Sequence, residues 1–248
     1  MGRRPAVTQT VILAAGSGSR LVSERGDVPK PLVTVAGVPL VAHALAHARA
    51  SGCTEAVVVI GFDGDRVRAA VEQMAPDLYV RFITSPDHSA PNGVSLLAAE
   101  PLAAPMFFLQ MVDHLFGDVA LPRLVAAPMN GEAARVLVDR APVDFDLADA
   151  TRVRLAGGRV TAIGKGIDPW DAIDAGCFVL THAVFDALRA VPTAAARTVS
   201  SGMRHLAVRG LLHAVDVNGT GWVDVDTPAD RSIAERLIGP RLAATSSS

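Results

Sequence analysis

Short apolar runs alternate with amphipathic stretches through the first half of the chain, and this alternation restricts the possible folds more than any other feature. Val11-Ile-Leu-Ala-Ala, Ala56-Val-Val-Val-Ile, Tyr79-Val-Arg-Phe-Ile and Met106-Phe-Phe-Leu-Gln-Met all have strand length. The first, second and fourth are apolar, Gln110 excepted, as expected of strands covered on both faces of a parallel sheet. Between them, Pro39 to Ala50, Asp63 to Met74 and Asn92 to Glu100 carry apolar residues at helical spacing. The resulting β-α-β-α order predicts a doubly wound α/β sheet with right-handed crossovers. Ligands bind such sheets at the carboxyl ends of the strands, so chemistry is expected just after each run.

The texture changes after about residue 130. Ala134-Arg-Val-Leu-Val-Asp, Thr151-Arg-Val-Arg-Leu and Arg159-Val-Thr-Ala-Ile are close-spaced β segments, and Gly157-Gly158 is a hairpin signal between the last two. Asp174 to Leu180 predicts a further strand, His182 to Ala190 and Thr198 to Arg209 predict helices, and Leu211 to Val217 returns as a strand. Thr227-Pro-Ala-Asp opens a last helix, with Thr as N-cap, Pro at the first helical position and an acid in the first turn. The pattern predicts one mixed α/β domain over residues 1–242, its second half forming an antiparallel lid over the sheet edge, and a frayed tail at 243–248.

Composition narrows the class. Apolar residues make up 50% of the 248 and charged ones 19%, which excludes a disordered chain and supports a sizeable core. No uncharged apolar run approaches the ~18 residues of a spanning helix, and Met1-Gly-Arg-Arg-Pro does not resemble a signal peptide. A net charge of -2 without basic blocks argues against a nucleic-acid partner. Cys53 and Cys177 make neither a disulfide framework nor a metal quartet, which points to the cytoplasm. Of 23 basic residues only Lys30 and Lys165 are lysines. Lysine is a compact point charge on a slim stem, suited to reaching a phosphate in a narrow cleft.

Directly after the first run stands Leu13-Ala-Ala-Gly-Ser-Gly-Ser-Arg-Leu21. Gly16 and Gly18 allow close approach of the backbone to a ligand, successive N–H groups can form a nest for phosphate oxygens, and Arg20 adds a bidentate donor. Leu21 occupies the third glycine position of a dinucleotide fingerprint, and no G-K-[ST] follows, so neither the Rossmann nor the Walker loop applies. Pro29-Lys30-Pro31-Leu32 comes next, with two prolines restraining the backbone around the lysine.

L-A-A-G-x-G-x-R-L followed by P-K-P-L resembles the signature of the nucleotidyltransferases that make nucleoside diphosphate sugars and related compounds. Met111-Val-Asp-His-Leu-Phe116 and Asn92-Gly-Val-Ser-Leu-Leu-Ala-Ala are similar to segments of CTP:inositol-1-phosphate cytidylyltransferases. Asp149-Ala-Thr-Arg-Val, Ile163-Gly-Lys, Trp170-Asp-Ala-Ile-Asp-Ala-Gly-Cys-Phe and Trp222-Val-Asp-Val-Asp-Thr-Pro-Ala-Asp extend the likeness from about Val11 to Arg236. Val112 replaces a frequent Ser and Arg152 a usual Lys, so a point-charge role at 152 is in doubt. The resemblance implies a single Rossmann-like nucleotidyltransferase domain with a mostly parallel mixed sheet and a small antiparallel β lid. It also implies attack by an acceptor phosphate on the α-phosphorus of CTP, with loss of pyrophosphate.

Crowded anionic oxygens must be brought together in that reaction, so catalysis rests on positioning and charge neutralisation. By the resemblance, Leu13, Ala14, Ala15, Gly16, Ser17, Gly18, Ser19 and Arg20 hold the nucleotide, with Lys30 on the α-phosphate and departing pyrophosphate. Arg20, Lys30 and Asp113 are the implied catalytic set. Asp113 is the implied Mg²⁺ ligand; Mg²⁺ takes one or two carboxylates plus water and phosphate, and the second is Asp224 or Asp226. Asp226 has the alternative role of helix cap or first-turn acid. Asn92, Gly93 and Ser95 are candidates for reading the base, or else for capping a helix. Lys165 is the candidate ligand of the acceptor phosphate, and Asp174 the acceptor of polyol hydroxyls unless it is a strand-end acid. Asp113 and His114 complete the implied substrate contacts, and Trp170 could wall the cleft or simply pack.

The implied acceptor is inositol 1-phosphate or another small phosphorylated alcohol. Phosphocholine, phosphonate or hexose 1-phosphate are the enzymatic alternatives, and a nucleotide-binding regulatory subunit is the non-enzymatic one. A choline head calls for an aromatic cage, and Tyr79, Trp170 and Trp222 are the only Trp or Tyr residues. In bifunctional relatives a membrane synthase follows the transferase. With the sequence ending at Ser248, the expected consumer of the product is a separate membrane CDP-alcohol phosphatidyltransferase. A homodimer is the assembly left open.

Overall fold

The computed structural model of the protein describes residues 7–17, 28–74, 77–117, 119–143 and 147–245, with the side chains of 239–245 excepted. In chain order the strands are β1 (Gln9–Ala14), β2 (Thr34–Val35), β3 (Val38–Pro39), β4 (Glu55–Ile60), β5 (Tyr79–Thr84), β6 (Met106–Met111) and β7 (His114–Phe116), then β8 (Ala134–Asp139), β9 (Arg152–Ala156), β10 (Arg159–Gly164), β11 (Ala172–Thr181), β12 (Leu212–Asp216) and β13 (Trp222–Asp224). The helices are α1 (Leu40–Ala50), α2 (Gly64–Met74), α3 (Asn92–Ala98), α4 (Ala120–Ala126), α5 (Ala183–Arg189), α6 (Val199–Val208) and α7 (Pro228–Thr245).

Nine strands form one mixed sheet in the order β5-β4-β1-β6-β11-β8-β12-β10-β9. β5, β4, β1 and β6 are parallel, and β11 runs against both β6 and β8. Every residue of β1 is buried, which is why that segment can be apolar without alternation. Its side chains nevertheless divide between two faces, as the pleat requires. Val11 and Leu13 enter a core shared with Leu96 of α3, Phe185 of α5 and Leu206 of α6. Ile12 and Ala14 enter one shared with Val41 of α1, Val67 of α2 and Ala234 of α7. Helices therefore cover both faces, as the β-α-β-α order predicts.

The antiparallel segments expected as a lid are strands of this same sheet. β9 and β10 join through Gly157 and Gly158, both at positive φ, as a two-residue primed turn demands. β9 also folds back to pair with Ala172 and Ile173 of β11. The separate antiparallel pieces are smaller: the two-stranded ladders β2–β3 and β7–β13. β11 begins at Ala172 rather than Asp174 and carries a bulge between Asp174 and Phe178. The capping of α7 follows the sequence: Thr227 Oγ1 accepts from Asp230 N, and Asp230 accepts from Thr227 N and Oγ1. α7 continues through Thr245, so residues 243–245 of the expected tail extend the helix.

Candidate active site

β1 delivers Leu13, Ala14 and Ala15 to its carboxyl end in buried positions, and the chain surfaces at Gly16 and Ser17. Phe62 N donates to Ala15 O at 3.0 Å. Gly61 is packed so tightly that a Cβ there would lie 2.6 Å from the same oxygen. The loops after β1 and β4 are thus pressed together at the end of the sheet. Gly18, Ser19 and Arg20 lie outside the described residues. Lys30 opens a 3₁₀ turn (Lys30–Leu32) in which Leu32 N donates to Pro29 O at 2.8 Å, and it is buried at 7% exposure.

A cluster of charges surrounds the Lys30 ammonium. Nζ donates to Asp113 Oδ2 and to Asp226 Oδ1, each at 2.5 Å. His114 Nδ1 lies 2.9 Å from Asp113 Oδ1 and 3.8 Å from Asp224 Oδ1. The β7–β13 ladder places Asp224 opposite His114, and Val225 N donates to Asp113 O at 3.0 Å. Two segments more than a hundred residues apart are thereby fixed together. Asp226, like Asp113, accepts from Lys30, while Asp224 joins Asp113 and His114 with ligand atoms all within 4.8 Å. Asp226 does not cap α7; Thr227 does.

These groups set one another's protonation. Burial opposes charge on Lys30, but Asp113, Asp224 and Asp226 outweigh it and hold the ammonium above its ordinary pKa. Burial likewise opposes charge on Asp113, yet Lys30 and the His114 hydrogen bond keep it well below the usual carboxylate range. His114 is raised to about 9 because Asp224 and Asp113 overcome its desolvation, so it is cationic at neutral pH. Asp224 is pushed up to about 7 by burial, with Asp113 adding to the effect against the pull of His114. Its Oδ1 is buried and makes no hydrogen bond among the described residues. An unsatisfied carboxylate oxygen beside a second carboxylate fits a hard divalent cation.

The cluster borders a cavity of about 550 Å³ through His114, Asp224 and Asp226, and Lys165 and Asp174 line the same cavity. Lys165 pairs with Asp149, another lining residue. Burial raises Asp174 to about 6 against a 2.8 Å hydrogen bond from Gly176 N and the nearby His114. Asp149, Asp174, Asp224, Asp226 and Asp230 give the cavity an excess of carboxylates over cations. Such a cavity repels a polyphosphate until a cation enters with it.

Other expected site residues are placed differently. Asn92 lines the cavity but is the first residue of α3 and does not cap it. Its Oδ1 instead accepts from Val199 N at 2.9 Å, at the start of α6. Gly93 faces α6's approach, where a Cβ would lie 2.4 Å from Arg197 O. Ser95 is buried and bonded to Ser85 Oγ at 3.0 Å. Arg152 Nη1 and Nη2 donate to Ile167 O and Leu147 O, both at 3.2 Å, bracing the two loops that bear Lys165 and Asp149. That is work for a planar fork rather than a point charge. Trp170 is not among the residues lining the cavity.

Trp222 and Gly176 line the cavity without a role assigned from sequence. Trp222 stacks with the His114 ring, centroids 5.9 Å apart and planes at 15°. Gly176 approaches the same ring at φ +73°, where a Cβ would come within 2.4 Å of it. An isolated glycine within a strand pattern was the available signal for a close approach.

Known proteins share both sequence and fold with this chain. It is 38% identical over 229 residues to the Rubrobacter xylanophilus "Bifunctional IPC transferase and DIPP synthase", covering 92% of this chain and 51% of that protein. The Aquifex aeolicus protein of the same name is 30% identical over 94% of this chain and 52% of its own length. The chain thus spans about half the length of the curated relatives it matches. The solved structure of the inositol-1-phosphate CTP transferase from T. maritima superposes with a TM-score of 0.83 at 22% identity, covering 95% of this chain and 98% of the other, which is a likeness of fold. The MobA-like NTP transferase domain matches residues 10–215, from within β1 through the glycine loop, Lys30, Asp113 and Asp174 to β12. With that match over most of its length, the chain belongs to the MobA-like NTP transferase family.

Proposed function

We propose that this domain is a Mg²⁺-dependent cytidylyltransferase that moves CMP from CTP to inositol 1-phosphate, yielding CDP-inositol and pyrophosphate. The observation that carries the reading is the buried Lys30 ammonium beside the Asp113–His114–Asp224 cluster, on a cavity that Lys165 and Asp174 also line. The relatives named as IPC transferases and the fold neighbour named as an inositol-1-phosphate CTP transferase support CTP and inositol phosphate as the substrates.

In this reading the glycine loop from Leu13 to Arg20 receives the triphosphate. Lys30 has three N–H donors, two of them directed to Asp113 and Asp226, and directs the third to an α-phosphate oxygen. Asp113 and Asp224 would hold the divalent ion, which would supply charge neutralisation for the triphosphate. Lys165 exchanges Asp149 for the acceptor phosphate, and Asp174 accepts hydrogen bonds from ring hydroxyls. The attacking phosphate monoester is already ionised, so no general base is needed. Asn92, which lines the cavity, is the candidate for meeting the base. The CDP-alcohol would pass to a membrane CDP-alcohol phosphatidyltransferase, with this domain on the cytoplasmic side. Among the described residues no helix is long and apolar enough to cross a membrane.

Pyrophosphate release from each of the four nucleoside triphosphates with inositol 1-phosphate, phosphocholine, 2-aminoethylphosphonate and hexose 1-phosphates tests the assignment. Release only with CTP and inositol 1-phosphate is the expected result. A preference for another acceptor reassigns the substrate, and no release with any pair overturns the reaction.

A further inference from the structure

We propose that Trp222 and Asp139 are positioning residues for the Asp113 carboxylate, acting through the imidazole of His114. The inference rests on reading Asp113 and Asp224 as the metal ligands. His114 Nδ1 lies between these two carboxylates, 2.9 Å from Asp113 Oδ1 and 3.8 Å from Asp224 Oδ1. The backbone at Gly176 comes so close to the ring that it leaves no room for a methyl group. The Trp222 indole stacks with the same ring, nearly parallel at 15°. These two neighbours restrict how the imidazole can turn and keep Nδ1 directed at Asp113 Oδ1.

The indole is itself pinned. It also stacks with Phe116 at 6.1 Å and 13°, and Phe116 is fully buried. Its edge is fixed by Nε1 donating to Asp139 Oδ2 at 2.9 Å, at the end of β8. The β7–β13 ladder pairs Trp222 with Phe116 and Asp224 with His114, so stack and ligand set share one backbone frame. Trp222 packs against the core cluster that holds Phe116 and Leu137, and it also lines the main cavity and a second one of about 360 Å³. Groups that orient a metal-bound carboxylate or imidazole change metal affinity by about 10–100-fold when removed.

The test compares Asp139→Ala, Asp139→Asn, Trp222→Phe and Trp222→Leu with wild type in the full chain. Mn²⁺ alone is titrated and followed by electron paramagnetic resonance; unfolding midpoints and Mg²⁺ half-saturation of pyrophosphate release are measured alongside. Asp139→Ala and Trp222→Leu are expected to bind Mn²⁺ about 10-fold more weakly. Asp139→Asn, which keeps an oxygen for the indole N–H, should restore wild-type affinity, and Trp222→Phe should fall between. A purely structural role would lower the unfolding midpoints without moving the affinity of the folded protein. Wild-type affinity in folded Asp139→Ala overturns the inference, as does the absence of Mn²⁺ binding by wild type. If Trp222→Leu fails to fold, the Asp139 pair decides. Wild-type protein that binds Mn²⁺ yet releases no pyrophosphate counts against the proposed reaction, and the affinities then judge the positioning role separately.

Discussion

Lys30 and Asp226 are 196 positions apart in the chain, and their side chains meet at 2.5 Å. The contact ties the 3₁₀ turn after the glycine loop to the segment between β13 and α7. It also leaves one ammonium as the shared counter-charge of Asp113 and Asp226.

Removing that ammonium strands several carboxylates in a buried place. Lys30→Ala should therefore lower stability by about 3–5 kcal/mol in the absence of metal. Mg²⁺ should restore part of the loss by binding the same carboxylates. Urea unfolding with and without Mg²⁺ measures both effects. Turnover should fall at least ~100-fold, as for loss of one group that stabilises developing charge.

Asp224, in the β7–β13 ladder, and Asp226, just beyond it, should respond differently to the same change. Asp224→Asn is expected to raise the Mg²⁺ concentration for half-maximal rate by at least ~10-fold. Asp226→Asn acts through Lys30, so turnover should drop while the Mg²⁺ dependence stays close to wild type. Rates across a Mg²⁺ series, with chelated enzyme as the zero point, separate the two; equal Mg²⁺ shifts would refute the division of labour.

Asp174 carries a pH signature. Burial raises its folded-state pKa to about 6, above the unfolded value. The folded protein holds this proton more tightly, so the associated stability is complete below about pH 4 and is lost as pH rises through 6. Asp174→Asn escapes that loss, and its amide oxygen can still accept from Gly176 N. The variant should gain on the order of 2 kcal/mol over wild type at pH 8 and nothing at pH 4. Chemical denaturation at the two pH values checks the sign.

Gly176 has no room for a larger residue. Gly176→Ala would require a left-handed conformation and push a methyl into the His114 ring. A destabilisation of about 1–3 kcal/mol is expected, with a displaced imidazole and weaker metal binding. Unchanged stability and metal affinity would mean that the β11 bulge relaxes without cost.

Sequence made the sheet legible where burial is uniform. Val11–Ala15 and Ala56–Ile60 can be apolar without interruption only if helices cover both sides, and they do. The hairpin at Gly157-Gly158 and the cap at Thr227 were equally readable, since each depends on neighbours within a few residues. Long-range partners were not. Nothing near Asn92 shows that its amide oxygen accepts from Val199 N, or that Gly93 is glycine because Arg197 passes close by. Nor does the local sequence show that Asp226 meets Lys30 while Asp224 faces His114. Trp222 is one aromatic residue in a short strand, and its stacking with His114 and Phe116 is visible only in the fold.

β6 and β11 are adjacent rungs of one ladder, from Cys177 opposite Gln110 to Thr181 opposite Met106. Asp113 and Asp174 each stand three residues past the Cys177–Gln110 rung. The bulge of β11 lies between Asp174 and Phe178, so in the proposed reaction the span between nucleotide and acceptor is gauged by that irregularity together with the inter-strand hydrogen bonds.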